Sequence, residues 1–303
     1  MTMGTLVLVS EANSRAGAGH AMRCATLGAA WRRAGRPVRA IGHFDLPFVR
    51  ERFARLDIPI GGDPVETGEI VVVDTYDAST RFRWSHAPEP TLRILIDDLG
   101  SAQVPPGYSA VWNPNPYASI DLYPRFTGLL LAGTDYLPIR EDLPQWNPTP
   151  DGEILVSLGG GLPSPAVVEM LCLLDELAPD ERFAATGDWA PERWRRIQAD
   201  ALWREAGRAR GMIIAAGGTV WEAAAVGIPV ILLMTADNQR LVYRWGRDAG
   251  VPGLNALLLD PDFLAHQLGG LLQVPTPLPA VTNGADRVAD RLWRLAQDGG
   301  ENQ

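Results

Sequence analysis

Short apolar runs rich in β-branched residues alternate with longer amphipathic ones along the whole chain. "TLVLVS" (5–10), "VRAIGH" (38–43), "EIVVVDTY" (69–76), "LRILIDDL" (92–99), "AVWNPN" (110–115) and "LLLAG" (129–133) read as strands buried on both faces of a parallel sheet. Helical spacing covers about His20 to Ala34 and Leu46 to Leu56. The run "YLPIREDLPQWNPTPDG" (136–152) is rich in proline and acid and has no periodicity, which marks a linker. The alternation then restarts with "EILVSLGGG" (153–161), "RFAATG" (182–187), "GMIIAAGG" (211–218) and "VILLMT" (230–235), and a last amphipathic helix is predicted over 285–297. The pattern predicts two tandem doubly wound α/β domains, 1–145 and 151–303, facing each other across a cleft.

Length agrees, because 303 residues exceed one comfortable hydrophobic core. A formal charge of −9 disfavours nucleic acid and anionic membranes as partners, while leaving small anions open to local groups. All 27 basic residues are arginine, so lysine Schiff-base chemistry and a P-loop lysine are excluded. Cys24 and Cys172 fall on predicted helices without C-x-x-C spacing, which points away from zinc or a disulfide framework and towards a reduced cytoplasm. The start "MTMGTLVLVS" lacks a basic region before its strand-length apolar run, so no signal peptide is expected. No run reaches the roughly 20 apolar residues of a membrane span.

Two segments carry candidate chemistry. In "EANSRAGAGHAMRC" (11–24), Gly17 and Gly19 make a tight turn into a helix start, which presents backbone N–H groups to an anion. His20 stands at that helix N-terminus, where the dipole disfavours the imidazolium and keeps a neutral ring available as a base. Such a ring can take a proton from water or another acceptor. His43, His86 and His266 are read as structural. Arg23, one turn further on, reads either as a group steadying the loop or a phosphate, or as a plain surface arginine. In "AAGGTVWEAAAVGIPVILLMTADNQ" (215–239), Gly217 and Gly218 leave the next helix start open to a diphosphate, and Thr219 can cap or contact the same group. Glu222 lies where a carboxylate could bridge vicinal ribose hydroxyls, and Asn238 and Gln239 close the following strand at its carboxyl end.

The second segment resembles the donor-binding region of the GT-B UDP-N-acetylglucosamine transferases of peptidoglycan synthesis, whose G-x-x-T-x-x-E…G-x-P…Q pattern it matches from Gly217 to Gln239. That resemblance implies that Gly218 and Thr219 hold the diphosphate, that Glu222 binds the ribose, and that Asn238 and Gln239 read the sugar. The first half resembles the UDP-sugar hydrolases of the pseudaminic acid pathway. "EANSRAGAGHAMRCATLGAAW" follows their D-A-S-x-x-I-G-x-G-H-x-x-R-C-x-x-L-A signature. "VVVDTYDAS", "ILIDDLG", "NPN", "LLLAGTDYLPIRED", "ILVSLGGG" and "ADNQ" match further landmarks in order, over nearly the whole chain. The resemblance implies a GT-B fold of two Rossmann-like domains and C–O cleavage at the anomeric carbon with loss of UDP. It carries catalytic roles to His20, Tyr76 and Asn238. Asp97–Asp98 invites a metal, but in a GT-B enzyme the helix dipole and backbone donors replace the cation. The pair is therefore read as structural or as helix caps, with no metal and no cofactor beyond the UDP-sugar donor. "SLGGG", with Gly160, reads as a turn lining the cleft.

The chain departs from the hydrolase pattern near that cleft. Glu11 and Asn13 replace an aspartate and a serine, Arg15 stands before the glycines, and Leu162 replaces an aspartate. Fewer acids and an added arginine suit a sugar with its own carboxylate, such as a uronic acid. The expected function is thus an inverting transfer of a sugar from UDP to a small acceptor, a nucleobase as in cytosylglucuronate synthases being one case. The alternative is a hydrolase with water as acceptor. A non-enzymatic UDP-sugar sensor is disfavoured by the intact histidine constellation.

Overall fold

The computed structural model describes residues 4–62, 65–66, 68–86, 92–100, 104–257 and 276–300; His266 lies outside them. The chain forms two compact units, Met1–Ile139 with Thr282–Gln303, and Arg140–Val281.

In the first unit, β1 (Leu6–Ser10), β2 (Val38–Ile41), β3 (Ile70–Asp74), β4 (Leu92–Ile96), β5 (Ala110–Asn113) and β6 (Leu129–Ala132) form one parallel sheet in the order β2-β1-β3-β4-β5-β6. The connecting helices include α1 (Gly19–Arg33), α2 (Pro47–Arg55) and α3 (Ala78–Ser85). β1 and β3 are buried at every position, as unbroken apolar runs require when both faces of a sheet are covered. Leu6, Leu8, Ile70, Val72 and Ile94 pack with Leu27 and Trp31 of α1 on one face. Val7, Val9, Val71, Val73 and Leu95 build a second core with Tyr108 on the other.

The second unit repeats the plan. β7 (Ile154–Ser157), α4 (Pro165–Leu177), β8 (Phe183–Ala185), β9 (Arg195–Arg196), α5 (Leu202–Ala206), β10 (Gly211–Ala215), α6 (Thr219–Val226), β11 (Pro229–Met234), α7 (Arg240–Asp248) and β12 (Gly253–Asn255) follow in sequence. The parallel order is β12-β11-β10-β7-β8-β9, with β13 (Thr276–Pro277) antiparallel to the start of β11. The strands that the hydrophobic pattern does not reveal, β9, β12 and β13, are only two or three residues long.

The second unit ends at Val281, not at residue 303: α8 (Ala285–Gly300) belongs to the first unit. Its apolar stripe explains why. Val288, Ala289 and Leu292 are buried in the core beneath α1. Arg36 lies over the rings of Trp31 and Trp293, 5.2 and 4.7 Å from their centroids, and ties the two helices together. Amphipathic spacing predicts the helix but cannot say which sheet it serves.

Strand order also locates the sites. The chain leaves β1 towards β2 and then crosses back to β3, so the first sheet reverses between β1 and β3. In the second sheet the reversal falls between β7 and β10. Loops diverge at such switch points and leave a crevice at the carboxyl ends of the strands.

Candidate active site

Asp74 ends β3 directly beside Ser10, the last residue of β1. His20 is the second residue of α1, which follows β1, so the two side chains meet at the first switch point. His20 Nδ1 lies 2.6 Å from Asp74 Oδ1, and both residues are buried. Burial opposes ionisation of Asp74, yet Arg23 and His20 outweigh it and hold the carboxyl well below the usual range. An ionised carboxylate only accepts, so Nδ1 carries the proton and donates it to Asp74. That tautomer leaves Nε2 as the basic nitrogen, and it has no hydrogen-bond partner among the described residues.

Arg23 is not a plain surface residue. Its Nε and one Nη donate to Asp74 at 2.8 Å each, while its two Nη atoms donate to Asp98 at 2.6 and 3.0 Å. The guanidinium thus forks onto two carboxylates. Despite burial, which disfavours its charge, the aspartates raise its pKa further above the ordinary value. Tyr76 completes the group. Its hydroxyl donates to Asp98 at 3.1 Å, and its ring meets His20 edge-on with centroids 4.5 Å apart. Although Tyr76 as a whole is 41% exposed, desolvation of its hydroxyl first, and then the Asp98 charge, push the phenol up and keep it protonated.

Asp97 and Asp98 follow β4 and cap none of the described helices, so the cap reading gives way to two different roles. Asp97 is fully buried, accepting from Arg81 at 3.2 Å and from Tyr123 Oη at 3.1 Å. Asp98 joins the histidine group and also accepts from Asn115 at 3.1 Å. Among the described residues, no three His, Cys, Asp or Glu side chains form a metal-binding group. Sequence reasoning missed Asp74, Asp98 and Asn115 as members of the group. The available signal was a polar residue ending each of three apolar strands, in "VVVD", "ILIDD" and "VWNPN".

The loop before His20 is held by Asn13, whose Oδ1 accepts from the Arg15 and Ala16 N–H groups at 2.9 and 2.8 Å. Gly17 takes a left-handed φ of 75° there, which a side chain would strain. Arg15 is exposed. Glu11 is spent inside the loop, accepting from Thr75 Oγ1 at 3.0 Å and Asn13 Nδ2 at 3.3 Å. His43 and His86 are exposed and away from this group; the His86 ring packs on Phe82.

The other predicted residues lie in the second unit: Gly160, Gly217 and Gly218 beside its switch point, Thr219 and Glu222 on α6, and Asn238 and Gln239 after the next strand, β11. Ser157 of β7 is register-paired with Ile214 of β10, so the Gly159–Gly161 loop and the Gly217–Gly218 turn leave neighbouring strands. α6 opens at Thr219 with no side-chain cap, and a Cβ on Gly217 or Gly218 would meet nothing within 4 Å. Uncapped N–H groups behind an open glycine turn suit an anion. Glu222 Oε2 accepts from Trp203 Nε1 at 3.0 Å, which fixes its carboxylate. Gln239 Oε1 accepts from the Thr235 N–H at 2.8 Å, so its side chain is folded back on the end of β11. Asn238 is exposed beside it.

No family model and no curated protein sequence matches this chain. Solved structures do. A putative UDP-N-acetylglucosamine 2-epimerase from Listeria monocytogenes aligns over 99% of this chain and 97% of its own, with a TM-score of 0.66 and 14% identity. The fold is GT-B. The S. aureus MnaA–UDP complex has a TM-score of 0.61 at 11% identity, covering 98% of this chain and 97% of its own. The spinosyn rhamnosyltransferase SpnG, complexed with thymidine diphosphate, has 0.58 at 14%, covering 98% and 96%. All three align with this chain over nearly their whole lengths. No helix among the described residues is long and apolar enough to cross a membrane.

Proposed function

We propose that this protein breaks the anomeric C–O bond of a UDP-sugar, with His20 activating the incoming nucleophile. The observation that carries the reading is the buried Asp74–His20 pair at the switch point of the first sheet. As an acceptor X–H attacks C1, its proton passes to His20 Nε2, the X–C1 bond forms, and the diphosphate leaves with the electron pair of the broken bond. Direct displacement of this kind inverts the anomeric centre. Asp74 holds the ring and faces the imidazolium that results. Tyr76 lines His20, and Asn238 is assigned to the sugar by the family resemblance.

The donor side belongs to the second unit in this reading. The α6 N-terminus with Gly217, Gly218 and Thr219 receives the diphosphate, Gly160 borders it, Glu222 takes the ribose, and Gln239 takes the sugar. The exposed Arg15 favours a sugar bearing a carboxylate. The finer reading is therefore transfer of a uronic acid from UDP to a small acceptor, with water as the alternative acceptor. Asp98 is filled by Arg23, Tyr76 and Asn115, so turnover is proposed to persist after chelation. Incubation with a panel of UDP-sugars tests all of this. UDP release that needs an added acceptor supports transfer, and release in buffer alone supports hydrolysis. A changed sugar still joined to UDP, or no reaction with any donor, overturns the proposal.

A further inference from the structure

The groups around His20 do not balance in charge. Arg23 contributes one positive charge, and Asp74 and Asp98 one negative charge each, all within one hydrogen-bonded set. With His20 neutral the set is left at −1, and uptake of one proton brings it to zero. The other charged groups on the surrounding elements lie outside this hydrogen-bonded set. Tyr76, after β3, stays a neutral phenol, and burial pushes the Cys24 thiol on α1 up, so it too is neutral. Asp97, after β4, is paired with Arg81, and Glu11, after β1, makes its hydrogen bonds outside the set, to Thr75 and Asn13.

We infer that Arg23 and Asp98 are positioning residues that set the basicity of His20 in opposite directions. The inference deepens the proposed function and rests on His20 being its base. His20 and Arg23 share one oxygen, Asp74 Oδ1, at 2.6 and 2.8 Å. Every part of the Asp74 charge drawn by Arg23 is therefore withdrawn from the imidazole. Asp98 acts from the other side of the fork: it draws Arg23 towards itself and adds the unmatched negative charge. Arg23 therefore opposes the positive charge that the ring gains with a proton, and Asp98 favours it.

The test is a pH titration of the ring resonances of labelled, ligand-free protein, with His20 identified by its loss in His20→Asn. It needs no substrate, so it stands apart from the sugar chemistry. Asp98→Asn keeps the shape of the side chain while removing its charge, and is expected to lower the His20 midpoint by about one pH unit, the low end for the effect of a neighbouring charge. Arg23→Met is expected to raise it by at least as much, and Arg23→Lys to bring it back towards the wild type, since the charge returns without the fork. A purely structural role would leave the midpoints together, or move them the same way. If Arg23→Met does not fold, Asp98→Asn decides alone: an unchanged or raised midpoint overturns the inference, and a lowered one upholds it. If the titrations behave as expected but no UDP-sugar is turned over, the charge arrangement stands and the proposed reaction falls.

Discussion

The carboxyl ends of the two sheets differ in character at their switch points. At the first switch point, buried His20 and Asp74 and half-buried Arg23 and Asp98 form one hydrogen-bonded set of charged and titratable side chains. At the second, the candidate surface is mostly backbone: two glycines with open space where a Cβ would stand, and an uncapped helix start. The same α/β plan thus yields a place where protons can be moved and a place where a fixed negative charge can be held. Side chains are needed for the first because a proton needs a group that titrates. They are unnecessary for the second because helix N–H groups already point outwards.

That contrast can be broken most sharply on the first side. Asp74→Asn should cost turnover on the order of 10²–10⁴-fold, because an amide can donate to Nδ1 and favour the wrong tautomer, yet UDP affinity measured by calorimetry should be unaltered. Equal loss of both would mean the aspartate only holds the fold. On the second side, Glu222→Ala should weaken UDP by about 1–3 kcal/mol, the scale of a lost charge-assisted hydrogen bond. Glu222→Gln, which keeps an oxygen for Trp203, should recover part of it. Identical calorimetric affinities would remove Glu222 from the ribose.

A smaller effect separates the units by pH. Asp74 and Asp98 have folded pKa values below their unfolded ones. Their contribution to stability is therefore complete above the unfolded carboxylate range near pH 4 and is lost as pH falls through the depressed folded values. Acid titration followed by hydrogen exchange should show the carboxyl ends of β3 and β4 losing protection, and Asp98→Asn should flatten that dependence. If exchange at those strands were independent of pH below 4 after correction for intrinsic rates, the ion set would not stabilise the first sheet.

Much of this was readable in the sequence, and the limits are physical. Unbroken apolar runs predict buried parallel strands, because nothing else hides both faces of a strand; β1, β3, β7, β10 and β11 all bear this out. The glycines beside His20 and before Thr219 mark turns for a local, backbone reason. Pairing between distant residues has no such local signature. Arg23 reads as either a loop-steadying group or a surface arginine until Asp74 and Asp98, 51 and 75 residues away in the chain, are brought against it. The α8 helix shows the same limit, since its stripe fits any apolar face.

The central claim is that His20 handles the nucleophile and takes no part in holding UDP. His20→Asn measures it directly, by comparing kcat with UDP affinity on the same protein. The account predicts a fall in kcat of about 10²–10⁴-fold, loss of the acidic limb of the pH–rate profile, and UDP binding close to that of the wild type. Wild-type turnover, or failure that tracks lost UDP binding, would make the glycine turn and His20 an anion cradle and contradict the account.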